Sequence, residues 1–296
     1  TTYEAETCRP PVNMMHLKDF LKGKHLSLTP LAWERIESTG AMVNLWINRD
    51  GYGRVPNNCL YFMGVDVAAG VGASGSAIEV IEGRTGQKVL EFVCERIYPE
   101  ELAEVAVAIC SMFEGHDGQG AKMIWEARGP GATFGAKVVE HGYLNVYFVQ
   151  NEQSLSKKMT DTPGWNPTPD NQRKLLESWR EGLTTGKAVD LSSQSVNEAR
   201  QYIFTPDGSV KHSSAVRNLD ASANKKNHGD RVMASALAWW ICRQLMQFVD
   251  PLEEHYAVGT HGWLEQQDEK ARLAEEEKKR RPAYRYGRAD VGDYRY

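Results

Sequence analysis

The sequence feature that most constrains the fold is the stretch from Leu60 to Gly75, LYFMGVDVAAGVGASG. It is an apolar run that ends near a carboxylate, Asp66, and continues into a turn rich in glycine and alanine. The apolar run predicts a short buried strand, and the small residues after it leave room for another group to approach the backbone. A buried carboxylate without a partner costs free energy, so Asp66 requires hydrogen-bond donors or a cation. Because an aspartate at the end of a strand also commonly caps a turn, both interpretations stay open at this point.

Length and composition are those of an ordinary globular protein. The 296 residues suffice for one large domain or two small ones, and 41% hydrophobic and 25% charged residues are typical values. No apolar run approaches the ~20 residues of a membrane span. The five cysteines contain no CxxC pair, which indicates reduced intracellular thiols and not a zinc site or a disulfide framework. The net charge of −4 still allows local basic patches around an acidic metal site.

Hydrophobic patterning predicts an α/β core. Apolar runs predict strands at 60–67, 76–82, 88–95, 121–126 and 145–149. Helical spacing predicts helices at 99–115 and 132–142, between the last three of these strands. Short turns join the first three strands and indicate an antiparallel meander. The order β-β-β-α-β-α-β then needs a right-handed crossover beside a mixed sheet.

The segments around this core are predicted in outline. We expect three parts: an N-terminal arm or linker at 1–57 with helices at 14–21 and 30–39, a core domain at 58–250, and a charged C-terminal helix with a basic tail at 251–296. Within the second half of the core we expect a loop at 151–168, helices at 170–186 and 195–202, a hairpin at 202–211, a mobile loop at 213–227 and a long helix from His228. Since the chain begins TTYEAETCRPP without a methionine, we expect it to be part of a longer protein.

Three acids occupy comparable places in this scheme. Asp66 ends the first strand, Glu126 ends the fourth, and Asp230 opens the last helix. Carboxylates at matching ends of neighbouring parallel strands lie close together, and a helix that starts at the same edge adds the third. Three ionised carboxylates share a small space only if a cation neutralises them. Oxygen ligands without cysteine favour Mg²⁺ or Mn²⁺ over zinc, and two such ions can hydrolyse a phosphodiester.

Each of these residues also has a simpler interpretation. Asp230 in the first turn of a helix is favoured by the helix dipole alone. Glu126 has a potential ion-pair partner in Arg128. His228 is either a polar residue at the helix start or a further metal ligand. The conjunction of the three acids is more specific than any single member, so we predict a metal site of Asp66, Glu126 and Asp230.

Three segments in order carry a resemblance to a known family. They are GVDVAAGVGASGSAIEVIE, MIWEARGPGATFG and NHGDRVMASALAWW. Together they resemble the nuclease domain of the large terminase subunit of tailed bacteriophages, over about residues 58–248. The resemblance implies an RNase H-like mixed β-sheet flanked by helices and a metal-dependent endonuclease that cuts concatemeric viral DNA during packaging. It implies that Asp66, Glu126 and Asp230 are the catalytic, metal-binding acids, with His228 as a possible additional ligand.

The chain departs from the family pattern in three respects. Many relatives carry two adjacent acids before the Arg-Val of the last segment, whereas Gly229 precedes Asp230 here. They also often carry an acid in the first glycine-rich turn, where this chain has Ser74 and Ser76. These differences predict that one metal position is weak, or is completed by His228, water or a DNA phosphate. The family also has an N-terminal ATPase, but the sequence contains no GxxxxGK[ST] phosphate loop.

Basic residues around the acidic cleft are the candidates for DNA contacts, although each could equally be ordinary solvated surface. The candidates are Arg128, Lys157, Lys158, Lys225, Lys226 and Arg231. The resemblance implies double-stranded DNA, the portal protein, the small terminase subunit and a terminase ATPase domain as partners, no membrane, and a location in the host cell cytoplasm. Two alternatives stay open: another RNase H-like nuclease of the resolvase or integrase type, and a packaging docking module without catalytic activity.

Overall fold

The structure is a computed structural model that describes residues 7–22, 27–70, 75–150, 159–204, 210–212, 229–246 and 272. The chain divides into two compact units, Thr1–Phe248 and Val249–Tyr296. The first unit is an α/β structure built on a six-stranded mixed sheet. Among the described residues, no helix combines the length and the apolar character that crossing a membrane requires.

The main sheet contains the strands that the sequence predicts between residues 60 and 126. Its strands are β1 (Asn13–His16), β2 (Met42–Leu45), β3 (Tyr61–Asp66), β4 (Ser76–Glu82), β5 (Gln87–Cys94) and β6 (Lys122–Trp125). They lie in the order β1-β2-β5-β4-β3-β6. β3 pairs antiparallel with β4 and parallel with β6. The antiparallel meander of β3, β4 and β5, followed by a crossover to the parallel strand β6, confirms the predicted RNase H-like mixed sheet.

Helices cover both faces of this sheet. They are α1 (Leu17–Phe20), α2 (Pro30–Thr39), α3 (Pro99–Cys110), α4 (Pro130–Glu140), α5 (Pro169–Thr185), α6 (Ser193–Ala199) and α7 (Asp230–Leu245). Two small hairpins complete the unit: β7 (Phe148–Gln150) with β8 (Met159–Pro163), and β9 (Tyr202–Phe204) with β10 (Val210–His212). Several helices begin at a proline after an extended residue, because the fixed φ of proline suits the first helical turn.

Strand β3 separates the two hydrophobic cores. Tyr61, Met63 and Val65 belong to the core under α3 and α4, whereas Phe62 belongs to the core under α5 and α7. This division follows from the alternation of side chains along a strand. Gly64 lies on the α7 side, and a β-carbon there would overlap the backbone carbonyl of Ala234. The absence of a side chain at position 64 therefore allows α7 to lie directly on the strand that carries Asp66.

The segment before residue 58, which we predict as an arm, contributes two strands to the main sheet. β2 pairs antiparallel with β5, and β1 pairs antiparallel with β2. The predicted helix at 14–21 is wrong in its first half, because Asn13–His16 form the edge strand β1 and the helix spans only Leu17–Phe20. The predicted helix at 30–39 is confirmed, with Thr29 accepting a hydrogen bond from the Ala32 N–H at its start.

The predicted loop at 151–168 is also partly wrong, because Met159–Pro163 form β8. The chain then runs along the outer edge of β6: Trp165 N–H donates to the Trp125 carbonyl at 2.7 Å, and Ala127 N–H donates to the Trp165 carbonyl at 2.8 Å. These bonds fix the backbone on both sides of Glu126. The hairpin predicted at 202–211 is confirmed by the pairing of β9 with β10. The predicted mobile loop at 213–227 lies outside the described residues.

Candidate active site

Asp66 and Glu126 lie next to each other at one edge of the main sheet. The parallel pairing of β3 with β6 places Val65 opposite Trp125. Asp66 follows Val65, and Glu126 follows Trp125, so the two acids come directly after this pair. Phe62 and Ile124 face the core under α7, and alternation directs Asp66 and Glu126 to that same face. The sheet register therefore brings together the two strand-terminal acids that the sequence predicts as neighbours.

Asp230 reaches the same edge from the first turn of α7. This helix packs over β3 and β4, and its start lies beside Gly75, just before β4. A β-carbon at Gly75 would lie 3.3 Å from Asp230 Oδ2, which shows how close the carboxylate lies to this backbone. Asp66 is paired with Ala77, two residues along from Gly75. The described structure thus gathers Asp66, Glu126 and Asp230 around the ends of β3, β6 and α7.

Burial raises the pKa of all three acids, and Asp230 and Glu126 add to the cost of ionising Asp66. Burial raises the pKa of the Asp66 carboxyl well above its usual range, and the charges of Asp230 and Glu126 raise it further. Burial, followed by the charge of Glu198, raises the pKa of Asp230 to about 7. Burial also raises the pKa of Glu126, while the opposing charge of Arg128 lowers it. A region that disfavours negative charge in this way favours the binding of a proton or a cation.

The carboxylate oxygens of these acids suit hard divalent cations such as Mg²⁺, but the acids do not surround a metal position on all sides. Within the described part of the chain, no three side chains of His, Cys, Asp or Glu converge closely enough to surround one metal ion. Magnesium in phosphoryl-transfer sites is commonly held by one or two carboxylates, with water and substrate phosphate completing its octahedron. The partly buried carboxylates at this end of the sheet are ligands of the kind that such an open site requires. The proposed fourth ligand, His228, lies outside the described residues.

A fourth acid, Glu198 of α6, belongs to the same electrostatic environment and was not among the predicted site residues. Its side chain is buried, and its charge raises the pKa values of both Asp230 and Asp66. Its Oε2 accepts a hydrogen bond from the backbone N–H of Arg231 at 3.1 Å. Nothing in the local sequence distinguishes Glu198 from a surface glutamate, since its position depends on how α6 packs against α7.

The two described candidates for DNA contacts differ in their surroundings. Arg128 is exposed and follows Glu126, in a position open to a phosphate backbone. Arg231 is held within the protein by Glu198 and Gln194, so the structure does not present it as a free phosphate-binding group. The remaining candidates lie outside the described residues and stay predictions: Lys157, Lys158, Lys225 and Lys226.

The glycine at position 229 has a steric explanation in this chain. A β-carbon at Gly229 would overlap the hydroxyl group of Tyr202, which donates a hydrogen bond to the Gly229 carbonyl at 3.2 Å. Burial raises the pKa of Tyr202, and the charges of Asp66, Glu198 and Asp230 raise it further. Tyr202 therefore occupies the space beside the acids as a neutral phenol.

Comparisons with protein-family models and with curated proteins give no match. Solved structures with a similar fold include the large terminase nuclease from thermophilic phage G20c, at 15% identity over 69% of this chain and 89% of that chain, with a TM-score of 0.43. The same nuclease with bound magnesium gives 17% identity, coverage of 67% and 86%, and a TM-score of 0.44. The large terminase nuclease domain of Thermus phage P74-26 gives 16% identity, coverage of 63% and 83%, and a TM-score of 0.40. With identities this low, the functional conclusions depend on the residues of the chain itself.

Proposed function

We propose that the chain is a metal-dependent DNA endonuclease of the terminase large subunit type, with little sequence specificity. The observation that carries the proposal is the meeting of Asp66, Glu126 and Asp230 at one edge of an RNase H-like sheet, where Asp230 and Glu126 both raise the pKa of Asp66. An isolated turn-capping aspartate, or a glutamate paired only with Arg128, does not account for this arrangement. Groups that bind a cation at neutral pH account for it directly.

Asp66, Glu126 and Asp230 would hold the divalent ions, Mg²⁺ or Mn²⁺. Two bound ions supply an activated water and a counter-charge for the leaving oxygen of a phosphodiester. The open arrangement of the acids leaves coordination positions for water and for the scissile phosphate. The role of these side chains is therefore to fix positive charge at a defined place and to leave the phosphate side of the site accessible.

The protein framework contributes position and rigidity. Asp66 and Glu126 belong to paired strands whose register sets their separation, and the bonds of Trp165 hold the chain on both sides of Glu126. Exposed Arg128 would attract the DNA backbone beside Glu126 without reading the sequence of the bases. The same role is proposed for Lys157, Lys158, Lys225 and Lys226.

The wider biological assignment belongs to the same proposal. The substrate would be concatemeric double-stranded viral DNA, cut at genome packaging in the host cell cytoplasm. The packaging partners would be the portal protein, the small terminase subunit and a terminase ATPase domain. The predicted division into an arm at 1–57, a nuclease domain at 58–250 and a charged tail at 251–296 remains a prediction.

A plasmid-nicking assay tests the proposed activity. Supercoiled plasmid is incubated with the protein and Mn²⁺ or Mg²⁺, with EDTA and Asp66→Asn as controls and Glu140→Gln as a matched surface variant. We expect conversion to open-circular and linear DNA that requires both the metal and Asp66 and is unaffected by Glu140→Gln, because Glu140 is exposed on α4. Equal nicking by the Asp66→Asn protein would refute the metal-site mechanism.

One observation favours a second candidate function, a docking module without catalytic activity. The described residues contain no group of three ligands around one ion, and an inactive relative of a nuclease would have the same property. Absence of cleavage by the folded protein with either metal, together with absence of measurable Mn²⁺ binding, would favour the docking module. Preferential cutting of four-way junctions would instead favour an enzyme of the resolvase type.

A further inference from the structure

Helix α7, which carries Asp230, begins without a capping side chain of its own. Its N-cap residue is Gly229, which has no side chain to accept a hydrogen bond from the first helical N–H groups. Glu198 of α6 supplies the missing acceptor, since its Oε2 lies 3.1 Å from the backbone nitrogen of Arg231. The cap of α7 is therefore provided from another helix, at the residue directly after Asp230.

The side chain of Arg231 is fixed together with its backbone. Its Nη1 donates to Glu198 Oε1, its Nη2 donates to Gln194 Oε1 at 2.8 Å, and its Nε lies 3.4 Å from Glu91 Oε1. Glu91 belongs to the middle of β5 and is buried. Arg231 thus ties the first turn of α7 to α6 on one side and to the main sheet on the other.

The start of α6 is anchored in the same buried cluster. Asp190 accepts hydrogen bonds from Ser192 N–H at 3.0 Å and from Ser195 Oγ–H at 2.6 Å. Asp190 Oδ1 also lies 3.0 Å from Nζ of Lys88, a fully buried residue of β5 that lies 3.3 Å from Glu79 Oε2. Charged contacts therefore run from Asp190 through Lys88 and Glu91 of β5 to Arg231, the residue beside Asp230.

Both carboxylate oxygens of Glu198 are engaged by Arg231. One of its oxygens accepts from the Arg231 side chain and the other accepts from the Arg231 backbone. A carboxylate engaged in this way acts on its neighbour through the protein framework. Groups that orient first-sphere ligands typically change metal affinity by about 10- to 100-fold when they are removed.

We propose that Glu198 is a positioning residue for Asp230, which it holds in place by capping α7 and fixing Arg231. The inference rests on the proposed function only in taking Asp230 as a metal ligand. Its structural part, the ordering of the first turn of α7, can be measured without any metal.

The test compares Glu198→Ala, Glu198→Gln and the surface control Glu140→Ala with the unchanged protein. Amide hydrogen exchange of the first turn of α7 is measured without metal, and Mn²⁺ affinity is measured by titration calorimetry. We expect Glu198→Ala to speed exchange of the Arg231 and Met233 amides at least tenfold and to weaken Mn²⁺ binding about 10-fold or more. Glu198→Gln keeps a carbonyl oxygen for the Arg231 N–H, so we expect it to restore most of the exchange protection and part of the Mn²⁺ affinity.

The outcomes separate this inference from the proposed function. Unchanged exchange in Glu198→Ala overturns the positioning role, whether or not the protein binds metal. Faster exchange with unchanged Mn²⁺ affinity overturns it as well, because Glu198 would then only stabilise the fold. If neither the unchanged protein nor Asp66→Asn binds Mn²⁺ or cuts DNA, the proposed function fails. Any ordering of α7 by Glu198 would then no longer concern a metal ligand, so the inference fails as well.

Discussion

The hydroxyl group of Tyr202 occupies the space into which a side chain at position 229 would extend. A β-carbon built on Gly229 would overlap this hydroxyl and would lie 3.0 Å from Tyr202 Cζ. Gly229 has an ordinary negative φ of −117°, so the requirement for glycine here is one of space and not of backbone conformation. Tyr202 and Gly229 therefore form a matched pair beside Asp230.

This pairing predicts that Gly229→Ala destabilises the protein and that Tyr202→Phe relieves part of the cost. Overpacking at a buried contact typically costs about 1–3 kcal/mol, and removal of the phenolic oxygen removes the nearest atom. The measurement is the free energy of unfolding in urea for both single variants and for the double variant. A favourable coupling between the two substitutions is expected, and strictly additive effects would contradict the steric explanation.

The sequence predicts best those parts of the site that depend on local pattern and strand order. β3 is an apolar run that ends in Asp66, and β6 is a short, mostly apolar segment that Glu126 directly follows, so both acids could be placed at strand ends in advance. β1 could not be predicted, because its exposed residues alternate with partly buried ones over only four positions before the buried Leu17 and Phe20 begin a helical turn.

The parts of the site that sequence analysis missed depend on contacts between distant residues. Glu198 approaches Arg231 across 33 positions, and Tyr202 approaches Gly229 across 27. Neither a glutamate nor a tyrosine indicates such a contact by its presence in the sequence. Arg231, predicted as a DNA contact from its charge and location, is instead held by Glu198, because a guanidinium beside a buried carboxylate forms an ion pair within the protein.

The raised pKa values predict that the metal-free protein loses stability as the pH rises. The pKa of Asp230 is about 7 in the folded chain against an ordinary value of 3.8, so between these pH values the unfolded chain releases a proton that the folded chain retains. This contribution to stability is fully present below about pH 4 and is lost as the pH rises through about 7. In the proposed metal site a divalent ion would replace the proton, so Mn²⁺ should raise the melting temperature more at pH 8 than at pH 5.

Asp66→Asn provides the control for this pH dependence. Removal of one of the mutually repelling charges should stabilise the metal-free protein at pH 8, on the order of 1–2 kcal/mol, and should abolish most of the stabilisation by Mn²⁺. Glu140→Gln, at an exposed position, should behave like the unchanged protein in both respects. Thermal unfolding with EDTA or with Mn²⁺ at the two pH values measures both effects. A rise in melting temperature with Mn²⁺ that is equal for Asp66→Asn and the unchanged protein would contradict the site.

The buried Lys88 should be essential for stability. Its Nζ lies among Glu79, Glu91 and Asp190, and its side chain is fully buried. Lys88→Met removes the cation that these three acids share, and breaking a buried ion pair in this way typically costs about 3–5 kcal/mol. The cost should be smaller at pH 5 than at pH 8, since protonation removes the uncompensated charge. Lys137→Met is the control, because Lys137 pairs with an exposed glutamate and such solvent-screened pairs contribute little to stability. Urea unfolding at both pH values provides the comparison, and equal losses for the two lysine variants would show that the cluster does not stabilise the sheet.

Gly64, the glycine of β3, should be highly sensitive to substitution, since it determines how closely α7 approaches the strand that carries Asp66. In Gly64→Ala the new methyl group would overlap the Ala234 carbonyl oxygen and the Ala238 nitrogen, and these two backbone atoms of α7 cannot rotate away. We expect a loss of roughly 3 kcal/mol in the free energy of unfolding. We also expect weaker Mn²⁺ binding, because displacement of α7 carries Asp230 away from Asp66.

Gly51→Ala is the matched control, since nothing lies within 4 Å of a β-carbon at that position. Its stability and Mn²⁺ affinity should stay close to those of the unchanged protein. If a folded Gly64→Ala protein kept full Mn²⁺ affinity, the contact between β3 and α7 would not be what places Asp230 at the site.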